Sequence, residues 1–119
     1  MKLITPFLKI QNQIRIFHWQ TTSYSQHKAF NKAYKHFDEL IDQFVETFMG
    51  KYGRAKASTY YTIELENYSD NFITAIDEYI GYLVNITNEV DPVNDSDLLN
   101  IRDEMLGELN RLKYLLTLN

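Results

Sequence analysis

The sequence predicts an all-α fold, an antiparallel four-helix bundle with a longer crossover between helices 2 and 3. Three observations predict it. Apolar residues recur at steps of three and four in four separate stretches. Capping and turn residues separate those stretches. Only one connection is long, which suits a single crossover among short turns. At 119 residues the chain fits one domain, 1–119, with one modest core.

Helix 1 is expected from about Thr5 to about Thr21. Thr5 is a suitable N-cap, and Pro6 suits the first helical position because its missing N–H would be unpaired there anyway. Leu3, Phe7, Ile10, Ile14 and Phe17 form its apolar face. The polar run Thr21-Thr22-Ser23-Tyr24-Ser25 breaks the chain, with Ser25 as the next cap. Helix 2 is expected at roughly 25–50, with an apolar stripe of Phe30, Ala33, Phe37, Ile41, Phe44 and Phe48 that Tyr34, Leu40 and Val45 widen. Gly50 and Gly53 should end it. Residues 51–68 alternate only weakly and suit an extended crossover lying on the bundle. Ser69-Asp70 caps helix 3, whose stripe is Phe72, Ile76, Tyr79/Ile80, Leu83 and Ile86/Thr87. Asp91-Pro92-Val93-Asn94 is a turn. Asp95 or Ser96 caps helix 4, with Leu98, Ile101, Met105, Leu109, Leu112 and Leu116 inside.

Composition narrows the chemistry. With 9 Tyr and 7 Phe the chain has the aromatic content of a packed core, not of a disordered segment. It has no cysteine, so disulfides and thiolate ligands are excluded and any metal must sit on His, Asp or Glu. No apolar run approaches spanning length, and MKLITPFLKI is too short and polar for a secretory signal; a cytoplasmic protein with no membrane partner is expected, in the host cytoplasm if the chain is viral. A net charge of −4 makes generic DNA binding a poor expectation, since that requires Lys and Arg to displace counterions. There is no Glu-x-x-His for a single-chain di-iron site and no nucleophile–base pair.

The informative pattern is a polar band on helix 2. With Phe30 at zero and about 100° per residue, the apolar residues fall between roughly −80° and +60°. His27 then falls near +60°, Asp38 near +80°, Asn31 near +100°, Asp42 near +120° and Glu46 near +160°. His18 lies at the margin of helix 1's stripe. Asp38, Asp42 and Glu46 follow at i, i+4, where like charges repel by a few tenths of a kcal/mol each; Lys35, basic residues elsewhere, solvent or a cation are the candidates to offset it. Imidazole with carboxylate suits iron, manganese or zinc. His27 and Asp42 are about 22 Å apart along one rigid helix, so one chain cannot bring them to one ion. An antiparallel two-fold dimer, or a higher homo-oligomer built from it, would set His18 and His27 of one copy against Asp42 and Glu46 of the other, twice over.

His18-Trp19-Gln20 … His27 … Asp42-Gln43-Phe44-Val45-Glu46 resembles the starvation-type mini-ferritins, the Dps proteins. In that family a His-Trp pair ends helix 1, a second His opens helix 2, and Asp-x-x-x-Glu follows fifteen residues on. The resemblance implies a ferritin-like bundle, a di-iron ferroxidase centre between two-fold-related subunits, and iron detoxification by oxidation of Fe(II) with peroxide or oxygen. The implied ligands are His18, His27, Asp42 and Glu46. The resemblance covers roughly 17–53. HWQTTSYSQHKAF … GKYGR also resembles a group of uncharacterised short proteins of phages and large DNA viruses.

The chain departs from the mini-ferritin pattern at Asn31, where the family carries Asp; one anionic ligand is lost. The interval between the two histidines is three residues shorter. The chain has no lysine-rich tail and little room for an extra helix, departures that count against the family's twelve-subunit shell and DNA binding; a DNA-protecting shell is the third and weakest reading.

Blander readings stand beside these. Taken singly, His18 and His27 read as boundary histidines bonded to backbone or Tyr; together with Asp42 and Glu46 at the family spacing they read as metal ligands. Trp19 reads as core or interface packing, or as an interceptor of oxidising equivalents near iron. Asp38 is an additional ligand candidate. His36, about 180° from His27, reads as surface. The functional alternative is a non-catalytic helical dimer of phage or viral type that uses the Tyr-rich 52–68 segment to bind a host or viral protein.

Overall fold

A computed structural model describes residues 3–119; Met1 and Lys2 lie outside it. It contains four α-helices: α1 Ile4–Gln20, α2 Tyr24–Tyr52, α3 Phe72–Asn85, extended by a 3-10 turn Ile86–Asn88, and α4 Ser96–Leu115. Among the described residues there is no strand. Among the described residues no helix is long and apolar enough to cross a membrane.

The helices stand where periodicity places them, but their caps are shifted. α1 starts at Ile4 behind Leu3, not behind Thr5, and its cap makes no side-chain bond. Pro6 is the third helical residue, because any N–H of the first turn is dispensable. α2 is capped by Ser23, not Ser25: the Ser23 hydroxyl accepts the Gln26 N–H at 3.3 Å. Gly50 stays helical, and α2 runs on to Tyr52. Gly53 stops it at φ 86°, a conformation that favours glycine. At α3 the cap position falls on Asn71, not on Ser69-Asp70. The Ser69 hydroxyl accepts the Asn71 N–H at 3.3 Å and shapes the turn instead. Asp95 precedes α4 as expected but makes no cap bond, because its carboxylate is engaged elsewhere.

Packing pairs show how the helices run. Phe7 meets Phe44 edge-on at 5.1 Å, Gln11 bonds Asp38, Arg15 bonds Tyr34 and His18 bonds His27. The pairs climb α1 as they descend α2. α4 is tied to α2 through Lys51–Asp97, His36–Glu108 and Ser25–Leu118, again in reversed order. α4 also reverses α3, through Arg102 on Leu83 and Lys113 on Asp77. α2 and α3 therefore point the same way, and residues 53–71 must return along the molecule to start α3. Twenty-nine residues make α2 about 43 Å long. That matches the 42 Å long axis of the protein.

The core is the predicted one. Phe7, Ile10, Ile14, Phe17, Phe30, Phe37, Phe44, Ile76, Leu83, Leu98, Met105 and Leu109 are buried. Phe48, Phe72, Ile80, Ile101 and Leu116 pack on it half-buried. Two aromatic clusters close its ends. Phe17, Phe30, Tyr68 and Phe72 meet at one, and Phe7, Phe44 and Tyr82 at the other. Thr87, read as a stripe position, is exposed; its hydroxyl serves Arg102 instead.

Buried polar groups order the irregular parts, and periodicity did not reveal them. Gln13, only 2% exposed, pairs with both backbone groups of Glu66. Its amide nitrogen donates to the Glu66 carbonyl and its oxygen accepts the Glu66 N–H, each at 2.8 Å. Gln20 continues the seam: its oxygen accepts the Tyr68 N–H at 2.6 Å and its nitrogen donates to Asn67 at 2.9 Å. Arg102 reaches back to the end of α3 and donates to the Leu83 carbonyl at 3.0 Å and the Thr87 hydroxyl at 2.7 Å. Asp95, 2% exposed, accepts the Tyr52 hydroxyl at 2.5 Å, the Asp91 N–H at 2.9 Å and Lys51 at 3.1 Å.

Replacing Gln13 with Leu keeps the volume apolar and leaves the Glu66 peptide unpaired. That should cost about 1–3 kcal/mol in urea unfolding and open residues 53–71 to proteolysis first. Unchanged stability and cleavage would show that the seam is not holding the crossover.

The Asp95 carboxyl is held below its ordinary 3.8, first by the Tyr52 hydroxyl and then by the Asp91 N–H. Asp91 is lowered by the N–H groups of Asn94 and Val93. Asp97 is lowered chiefly by Lys51. Depressed folded values mean stability that is full above the unfolded pKa and is lost as pH falls through the folded ones. The urea midpoint should be flat above about pH 5 and drop below about pH 4, with a shallower acid slope in Tyr52→Phe. Equal slopes in the two proteins would remove Tyr52 from the acid response.

Candidate functional site

The three-residue bend 21–23 leaves His18 and His27 each about one helical turn from it. Their Nδ1 atoms make reciprocal bonds. His18 Nδ1 lies 2.8 Å from the His27 carbonyl, and His27 Nδ1 lies 2.9 Å from the His18 carbonyl. The rings stack at 3.9 Å with 22° between planes. A carbonyl can only accept, so each Nδ1 carries the proton and donates it. In the neutral rings both Nε2 atoms then keep their lone pairs. This is the backbone bonding expected of boundary histidines, and it is also how proteins orient histidine ligands.

Stacking limits what the pair can hold. Imidazole lone pairs lie in the ring plane, and planes tilted by 22° at this separation do not converge on one ion about 2.1 Å from both nitrogens. Each ring can serve its own ion; the two cannot chelate one.

The other candidate residues surround this pair without closing it. Trp19 is 61% exposed, so it is not core. The Arg15 guanidinium lies between its ring, at 5.0 Å, and the Tyr34 ring, at 4.6 Å. The stripe's edge faces solvent at that point, and Arg15 supplies the packing partner. Tyr24, 73% exposed, stacks beyond His27 at 6.3 Å. Asn31 is half-buried one turn after His27. Asp38 is tied within the chain, accepting the Gln11 amide at 2.5 Å. Asp42 and Glu46 are exposed and make no hydrogen bond or ion pair with any described residue. Among the described residues no three His, Cys, Asp or Glu come close enough to hold a metal ion. One chain therefore brings His18 to His27 and keeps Asp42 and Glu46 at the other end of α2.

His36, read as surface, is half exposed but not idle: its Nδ1 lies 2.7 Å from the buried carboxylate of Glu108. Its partner is on α4, so the angular position on α2 carried no sign of it. Gln11 and Arg15 were missed for the same reason.

In their neutral form both His18 and His27 should show the Nδ1–H tautomer in long-range 1H–15N correlation spectra. An Nε2–H signal from either ring would break the reciprocal arrangement.

The family of unknown function DUF5856 matches residues 18–116, from His18 through the whole of α4. A protein of Enterobacteria phage T4, the uncharacterized 14.6 kDa protein in the mobD-ri intergenic region, is 31% identical over 104 residues. That stretch covers 85% of this chain and 74% of the phage protein. No solved structure matches. These matches support the phage resemblance, while the mini-ferritin resemblance rests on the His18 to Glu46 stretch alone. With most of its length inside the matched span, the chain belongs to the DUF5856 family.

Proposed function

We propose that the protein binds divalent metal, iron first, at a site shared by two copies of the chain. His18 and His27 of one copy face Asp42 and Glu46 of the other. The observation that carries this reading is the reciprocal Nδ1–carbonyl bonding of the two histidines, which leaves both Nε2 atoms free as ligands. Fe(II) is the substrate, and its oxidation by peroxide or oxygen is the reaction such a donor set suits; manganese and zinc fit the same donors. Asn31 offers a neutral amide where a carboxylate would bind more strongly, so one of the two ion positions is the weaker. The shared direction of α2 and α3, joined by one long crossover, is compatible with a ferritin-like bundle.

The charge pattern of α2 supports the same pairing of copies. Lys28, Lys32 and Lys35 stand exposed on its N-terminal half, and Glu39, Asp42 and Glu46 on its C-terminal half. By helical angle all six lie on one side. A two-fold axis at position 37 sets Lys28 against Glu46, Lys32 against Asp42 and Lys35 against Glu39 at once. Each half then meets its opposite charge, which relieves the i, i+4 repulsion of the acidic run. That register also brings His27 beside Glu46 of the second copy.

The purified chain should sediment as a dimer or a multiple of it and take up Fe(II) under air. His18→Ala and Glu46→Ala should each weaken uptake at least about tenfold, measured by calorimetry with Co(II) as an air-stable probe. Lys28→Glu with Lys32→Glu should dissociate the dimer. A chain that stays metal-free in aerobic Fe(II) would sink the metal reading. A dimer indifferent to metal and to His18→Ala supports the non-catalytic interaction protein instead.

A further inference from the structure

A second feature lies at the opposite end of α1 from the histidines. A cavity of about 590 Å3 opens between the first turn of α1, the end of α2 and the start of the crossover. Arg54, Lys56, Ser58, Tyr60 and Tyr61 are on its wall, with Phe48 among its apolar side chains. No Asp or Glu lines it, although the chain carries 16 acidic residues against 12 basic ones.

Most other cations near the core are spoken for. Lys51 is held by Asp95 and Asp97, Lys113 by Asp77, Arg102 by α3 and Arg15 by two aromatic rings. Arg54 and Lys56 make no hydrogen bond or ion pair with any described residue. The loop that presents them is nonetheless held. The Tyr61 hydroxyl accepts the Ala57 N–H at 2.9 Å and donates to the Ala55 carbonyl at 3.5 Å. Tyr60, 76% exposed, offers a free aromatic face at the rim.

Two unpaired cations, one of them a guanidinium that can bond two oxygens of an anion together, are suited to phosphate. An aromatic ring beside them is suited to stacking on a base. The volume lies within the range of small-ligand sites. We infer that this cavity binds a nucleotide phosphomonoester, its phosphate on Arg54 and Lys56 and its base against Tyr60. The source is either a free mononucleotide or the 5′ end of a single-stranded nucleic acid; the chemistry is shared. This goes beyond the metal site and does not depend on it.

Calorimetry with 5′-AMP tests it, with adenosine and inorganic phosphate as separate arms. 5′-AMP should bind saturably, and adenosine and phosphate each at least about tenfold more weakly. The double variant Arg54→Gln, Lys56→Gln should lose at least about tenfold in 5′-AMP affinity, whereas Arg111→Gln, exposed on α4 and outside the cavity, should lose nothing. Tyr60→Ala should lower 5′-AMP affinity about tenfold and leave phosphate binding unchanged. All these side chains are exposed, and circular dichroism checks that the variants fold. A 5′-phosphorylated oligoadenylate that binds as well as 5′-AMP, with its unphosphorylated form weaker, assigns the site to nucleic-acid ends. Rejection of both oligonucleotides assigns it to the free nucleotide. The inference is overturned if 5′-AMP shows no saturation up to about 1 mM, if phosphate alone binds as tightly, or if the double variant binds as well as the parent.

Discussion

Phe30, Phe37 and Phe44 recur every seven residues along α2 and are completely buried. At about 100° per residue a spacing of seven drifts only about 20°, so the three rings form a nearly straight ridge along the helix. α1 packs against one end of that ridge through Phe7 and against the other through Phe17. α3 enters beside Phe30 through Phe72. α4 closes the opposite flank. Each buried ring contributes about 1.5–3 kcal/mol by transfer alone. The ridge also fixes the length of the protein, because α2 cannot bend without opening it.

Once two helices share a direction, a connection has to cross the whole bundle, and a crossing backbone brings its polar groups onto an apolar surface. The glutamines of α1 answer that requirement. Gln13 treats the Glu66 peptide as a neighbouring strand would, with one donor and one acceptor, and Gln20 makes half of that contact by accepting the Tyr68 N–H. Arg102 does the same for the carbonyls at the end of α3. At the other end of α2, Asp95 gathers Tyr52, Lys51 and the 91–95 turn. These groups add modestly to stability when made, but each would be costly to leave unpaired in the interior.

The same rigidity shapes function. A straight helix of 29 residues separates the two histidines from the acidic pair by most of its length. Its basic and acidic halves are exposed and make no ion pair among the described residues, and the proposed reversed copy would pair them. The basic cavity at the far end of α1 arises differently. There the crossover leaves α2 at Gly53, and its first residues carry cations into a stretch without carboxylates.

Helix number, the apolar face of each helix and the place of the one long connection were all legible in the sequence, because burial imposes the 3.6-residue period on every helix independently of its neighbours. The pairing of His18 with His27 was legible too, since a short bend separates them. Caps were read to within one or two residues only: Pro6 and Ser25 are compatible with the first turn but do not choose the starting residue. The roles of Gln13, Arg102, Glu108 and Asp95 were decided by tertiary structure alone. Each meets a partner at least fifteen residues away or on a backbone group with no side-chain signature, and that choice is made only when the helices settle at one rotation and height against the phenylalanine ridge of α2.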